Sequence, residues 1–128
     1  GLADTVKIIG FAQEDNLIKY FLDAGIVVIS RRDLALESSG MLMHALSAGV
    51  AVIVPDDGAF PEHIQENRGL LYKRGDALSL AGVLKKLIVG AKLRSELSEN
   101  GLRYAQAELA EAVIARKHIE AYKKLLGY

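Results

Sequence analysis

Ser39-Gly40-Met41-Leu42-Met43-His44-Ala45-Leu46-Ser47-Ala48-Gly49 leads straight into Val50-Ala51-Val52-Ile53-Val54. Met41, Leu42, Ala45 and Leu46 recur at helical spacing, and Gly49 supplies a stop, so a helix is predicted over 39–48. The five residues that follow are apolar, mostly β-branched and without polar alternation. A run that short does not suit a buried helix; it suits a strand covered on both faces, as in a parallel sheet.

The same pattern continues outward. Ile26-Val27-Val28-Ile29 and Val6-Lys7-Ile8-Ile9 read as further strands, and Gly69-Leu70-Leu71-Tyr72 as a weaker one. Glu14 to Asp23 carries Leu17, Ile18, Phe21 and Leu22 as a helical stripe, with Gly25 as its stop. A short helix is expected between the strands at Val54 and Gly69. The order strand, helix, strand, helix, strand, short helix, strand predicts an α/β domain with a Rossmann-like parallel sheet, its four strands largely buried on both faces.

Three helices should close the chain. Asp76 can cap one that runs to about Val89 and carries Leu80, Leu84, Leu87 and Ile88 on one face. Gly90 interrupts; a second helix spans about Lys92 to Ala105, and a third about Ala107 to Leu126. Ala115, Ile119, Tyr122 and Leu126 form an apolar stripe on the third. No repeat, low-complexity tract or linker divides residues 1–128, so a single domain is expected.

Composition narrows the function classes. With 51% hydrophobic and 25% charged residues, the 128-residue chain is that of a folded globular protein. Sixteen Lys plus Arg balance sixteen Asp plus Glu, so no net field draws in nucleic acid or anionic lipid. The absence of Cys excludes disulfides, thiol catalysis and Cys-ligated zinc. The longest apolar run is far short of a membrane span. The chain starts at Gly1 with no visible signal peptide, and is expected to be part of something longer.

Ligands of open parallel sheets bind beyond the carboxyl ends of the strands. Two loops lie there: Ser30 to Gly40, and Pro55 to Glu62. The first opens a helix through Ser38-Ser39-Gly40. A helix start offers N–H groups and about half a positive charge, and Gly40 removes a side chain from the approach, so a phosphate could sit there. Serines also cap helices for purely structural reasons. Glu37 could act on a ligand or simply favour the helix dipole. Arg31 and Arg32 could neutralise a diphosphate or remain solvated. The pattern leaves the face of His44 open, and His63 and His118 form no metal constellation with it. Asp56 and Asp57 are adjacent in a loop, where two side chains seldom aim at one spot. No Ser-His-Asp order, P-loop or Gly-x-Gly-x-x-Gly is present.

The stretch from Glu37 to Asp56, followed by Gly58-Ala59-Phe60-Pro61-Glu62, resembles the donor-binding domain of GT-B retaining glycosyltransferases. The nearest group is the family 4-like one that includes sucrose and glycogen synthases and bacterial mannosyl- and glucosyltransferases. Val6-Lys7-Ile8-Ile9-Gly10-Phe11 is similar to an upstream strand of that family. Gly69-Leu70-Leu71-Tyr72-Lys73-Arg74-Gly75-Asp76 is similar to its Gly-Leu-Leu-Val-x-x-Gly-Asp turn. Together these pieces cover about residues 5 to 126 in order. The family's second Glu, which meets the ribose, falls at His44, seven residues after Glu37 rather than eight, and Ala51 stands where the family strand often has Pro.

The resemblance implies the C-terminal portion of a hexosyltransferase of carbohydrate biosynthesis, acting on a nucleotide diphosphate sugar with retention. It implies Glu37 facing the donor sugar, Ser38, Ser39 and Gly40 at the diphosphate, Arg31 as a neighbouring cation, and His44 near the ribose. It implies no metal and no cofactor beyond the donor itself. An N-terminal acceptor domain is expected as partner, without which this chain alone transfers no sugar. The last helix is expected to dock on that domain or to mediate self-association. The implied location is cytoplasmic, with membrane-peripheral attachment through the part beyond this chain. Two alternatives stand beside it: a degenerate relative serving as a binding or regulatory module, and an unrelated flavodoxin-like domain with a carboxylate cluster at its strand ends.

Overall fold

The computed structural model describes residues 2–30 and 39–127. Three strands, β1 (Ile26–Val28), β2 (Ala51–Pro55) and β3 (Leu70–Tyr72), form a parallel sheet in the order β1-β2-β3. Val28 lies opposite Ile53, and Pro55 opposite Tyr72, so all three carboxyl ends reach the same edge. Helices α1 (Glu14–Asp23), α2 (Gly40–Ser47), α3 (Phe60–His63), α4 (Ala77–Val89), α5 (Ala91–Tyr104) and α6 (Glu111–Leu126) complete the described architecture, with a π-helical turn at Ala105–Leu109 between α5 and α6.

Strand β2 explains why the fold is layered. All five of its residues are buried. Successive side chains point to opposite faces. Val52 and Val54 join Phe21, Leu42, Leu46 and Phe60 in the core under α1, α2 and α3. Ala51 and Ile53 join Tyr72, Leu87 and Leu97 in a second core under α4 and α5. Each buried aliphatic side chain contributes about 1.5–3 kcal/mol, so the unalternated run at 50–54 is what both layers are built on.

Helix α5 closes the amino-terminal edge. Gly101 lies against Leu46 and the Arg68 carbonyl, where a Cβ would stand 2.8 and 3.6 Å from them, and Leu102 packs beside Gly49. Those neighbours immediately precede β2 and β3.

Several expectations change. Val6 to Ile9 form no strand: Val6 is 61% and Ile8 92% exposed, and no described strand pairs with them. A β-branched run is a strand only where a neighbour completes its ladder, and β1 pairs with β2 alone. The flanking strands are also less covered than expected, since Val28 and Leu71 are 38% and 39% exposed. Helix α1 keeps its expected bounds, with an extended Ala24 as its cap and Gly25 directly after it. The stretch 105–109 widens into a π turn, and extended Ala110 breaks it from α6. Helix α6 buries none of its side chains, so the stripe of Ala115, Ile119, Tyr122 and Leu126 is exposed. Among the described residues no helix is long and apolar enough to cross a membrane.

Candidate functional site

Helix α2 starts at the carboxyl edge, beside the ends of β1 and β2. Its position is set by Leu42 in the first turn, which is fully buried in the same core as Ile29 and Val54. Ser39 is the N-cap, 2% exposed and extended; its carbonyl accepts from the N–H groups of Leu42 and Met43 at 3.0 and 3.2 Å. Its hydroxyl makes no cap hydrogen bond among the described residues. The first N–H groups of a helix have no intrahelical acceptor, so those of Gly40 and Met41 form its electropositive tip. Among the described residues a Cβ on Gly40 would meet nothing within 4 Å, which leaves room at the tip.

His44 lies one turn further along, on the same helix face as Gly40. It is exposed on one side and stacks on Phe21 of α1 on the other, with ring centroids 6.1 Å apart. Ile18, Leu22, Ser47 and Ala48 join these two rings around a groove of about 240 Å³. The spacing could not choose a face for His44; the packing of α1 on α2 does. Of the other expected site residues, Arg31, Glu37 and Ser38 lie outside the described residues. The structure therefore brings together Ser39, Gly40 and His44.

The loops after β2 and β3 form the rest of the edge. The Asp56 N–H donates to the Tyr72 carbonyl at 3.0 Å, continuing the β2–β3 ladder past Pro55. The Arg74 N–H donates to Asp56 Oδ1 at 2.9 Å, and the Arg74 guanidinium pairs with Asp57 Oδ2 at 2.8 Å. Both adjacent carboxylates thus aim at one residue, contrary to the expectation from their spacing, but that residue is an arginine. Asp76 caps α4 by accepting from the Ser79 N–H at 2.9 Å, as expected. Ser30, Tyr72, Arg74, Asp76 and Leu80 help to line a cavity of about 310 Å³ beside this loop. Sequence reading missed Tyr72 and Arg74; the signal available was a basic residue in the turn after the last strand, facing an acidic pair in the turn after its neighbour.

A larger groove of about 560 Å³ opens elsewhere, between Arg68, Asn100, Arg103, Tyr104 and Glu108. It lies at the amino edge, where the strands begin. Its cations are engaged locally: Arg68 pairs with Glu66 at 2.6 Å and stacks 4.0 Å over the Tyr104 ring, and Arg103 donates to Asn100. Among the described residues, no group of three or more His, Asp or Glu is gathered closely enough to hold a metal ion.

Comparison with known proteins agrees with this architecture. Over 94 residues, or 70% of its length, the chain is 32% identical to the amylovoran biosynthesis glycosyltransferase AmsK of Erwinia amylovora. It superposes on sucrose-phosphate synthase from Thermosynechococcus elongatus over 98% of its length, with a TM-score of 0.81 and 23% identity, a likeness of fold. The chain spans 23% of the first relative and 31% of the second. Residues 1–104 match the model of the glycosyl transferases group 1 family, and the chain belongs to that family.

Proposed function

We propose that this chain forms the donor-side domain of a retaining glycosyltransferase that uses a nucleotide diphosphate sugar. The carrying observation is the accessible tip of α2, at the carboxyl edge of a parallel sheet in a chain of the glycosyl transferases group 1 family. In this reading the N–H groups of Gly40 and Met41, with Ser38 and Ser39, meet the diphosphate. Charge grows on that diphosphate as the sugar departs, and fixed backbone donors stabilise it without reorganisation. Arg31 adds a cation. Glu37 faces the sugar, and His44, one turn along the same face, lies toward the ribose. No metal or further cofactor is required for these roles. The similarity to AmsK, a glycosyltransferase by name, favours transfer over a purely regulatory module.

Titration of the complete protein with UDP, GDP and ADP tests the placement. Gly40→Val puts a branched side chain into the open space before the helix, so it should abolish nucleotide binding while circular dichroism stays unchanged. Glu37→Gln should spare binding of the bare nucleotide and slow sugar transfer by roughly ten- to a hundredfold, as for loss of a charged hydrogen bond. A folded Gly40→Val that binds every nucleotide diphosphate normally would remove the site from α2. Unchanged turnover in Glu37→Gln would remove Glu37 from the reaction.

A further inference from the structure

We propose that Arg74, with Asp56 and Asp57, is a brace that positions the tip of α2; as a role in donor binding it rests on the reading above. Three bonds join the loop after β2 to the turn after β3. The Asp56 N–H donates to the Tyr72 carbonyl at 3.0 Å, the Arg74 N–H to Asp56 Oδ1 at 2.9 Å, and the Arg74 guanidinium pairs with Asp57 Oδ2 at 2.8 Å. The Asp57 and Arg74 side chains are 29% and 28% exposed, so the pair is partly shielded from water.

The brace ties the exit of β2 to the exit of β3, beyond the last paired residues, Pro55 and Tyr72. The exit of β2 in turn carries α2: Val54, two residues before Asp56, shares a core with Leu42 of the first helical turn. Loosening the loop therefore loosens the surface on which the α2 tip rests. Arg74, Asp56 and Asp57 are positioning residues; each acts through Val54 and Leu42. Packed, hydrogen-bonded contacts of this kind are what hold a binding group to the sub-ångström tolerance that transfer chemistry demands.

Amide hydrogen exchange reads the brace without reference to any ligand. In Arg74→Ala and Asp57→Ala, the Leu42 and Met43 amides, both bonded to the Ser39 carbonyl, should exchange about two- to fivefold faster, the range of one partly shielded ion pair. The Arg94 amide at the start of α5 should not change. The double variant should be slower than the product of the two single effects, because Arg74 and Asp57 share a bond. Arg74→Lys and Asp57→Asn give gentler versions should an alanine variant fail to fold, with Arg74→Lys expected near the parent. Asp56→Asn keeps the acceptor oxygen and should be silent. Unchanged Leu42 and Met43 exchange, equal acceleration at Arg94, or additive effects in the double variant would each overturn the brace. Nucleotide affinity of the complete protein should fall in the same variants, because a less fixed tip must be ordered when the nucleotide binds. If the parent binds no UDP, GDP or ADP, the donor reading fails while exchange still decides the brace; if the parent binds and the variants bind equally well, the brace has no part in donor binding.

Discussion

The Tyr72 hydroxyl on β3 donates to the carbonyl of Ile29, at the end of β1, over 3.4 Å and out of contact with solvent. The bond passes across the full width of the sheet, since β2 lies between the two strands. Tyr72 is 5% exposed and belongs to the α4–α5 core, so its ring is held by packing and only its oxygen is free to choose a partner. Tyr72→Phe should keep the ring and lose the bond. A buried hydrogen bond is worth about 1 kcal/mol, so the melting temperature should fall by about 3–5 °C. A change of less than one degree would show that the long contact contributes nothing.

Gly69 sits where β3 begins. A Cβ there would stand 2.6 Å from Val52 Cγ2 and 3.1 Å from the Val52 carbonyl. Val52 is fully buried and the carbonyl is backbone, so neither can yield cheaply. Gly69→Ala should cost about 1–3 kcal/mol in urea unfolding, through forced separation of β2 and β3. Gly40→Ala is the contrast, because among the described residues a Cβ there meets nothing within 4 Å, and it should unfold at the parent's urea concentration.

Those two glycines show what the sequence could and could not reveal. The run Val50–Val54 announced a doubly covered strand because its reason is local: no polar residue alternates, so neither face can meet water. Gly49 and Asp76 were legible for the same reason, as a left-handed stop and a side-chain cap. Val6–Ile9 is also rich in β-branched residues, though Lys7 interrupts it, yet strand formation depends on a neighbour, which no local pattern records. The site behaves alike. Ser39 and Gly40 were readable as a helix opening. That His44 would stack on Phe21, or that Asp56 and Asp57 would both reach Arg74 some eighteen residues on, depends on tertiary packing between separate elements.

Asp76 makes the one side-chain N-cap among the described helices, accepting from the Ser79 N–H while the Ser79 hydroxyl accepts from the Lys73 N–H at 2.8 Å. Two backbone donors of the turn are thereby satisfied reciprocally. Asp76→Ala should lower stability by about 1 kcal/mol, and Asp76→Asn, which retains an acceptor, by less. Equal losses in the two variants would mean that charge at the helix start, and not the hydrogen bond, is what counts.

Glu108, in the π turn, pairs with Lys117 of α6 across the break at Ala110. The hydrogen bond from Lys117 and its charge, with a smaller contribution from Arg68, hold the Glu108 carboxyl below the ordinary glutamate value. A carboxyl depressed in the folded state binds its proton less readily than in the unfolded chain. Its contribution is therefore complete above the unfolded value and is lost as pH falls through the lower folded one. Both partners are largely exposed, so the expected effect is on α6 and not on global stability. With no native Cys, spin labels can be placed at Ser95 and Lys124 through cysteine substitutions alone. The distance distribution between them should broaden on acidification below the ordinary glutamate range. Lys117→Met should give the broadened distribution already at neutral pH, and the Glu108 carboxyl resonance should then titrate closer to the ordinary value. Raised salt should imitate acid in the parent and do nothing in Lys117→Met. A distribution that ignores pH, salt and the substitution would show that α6 is held by its packing on the π turn and that the ion pair is ornamental.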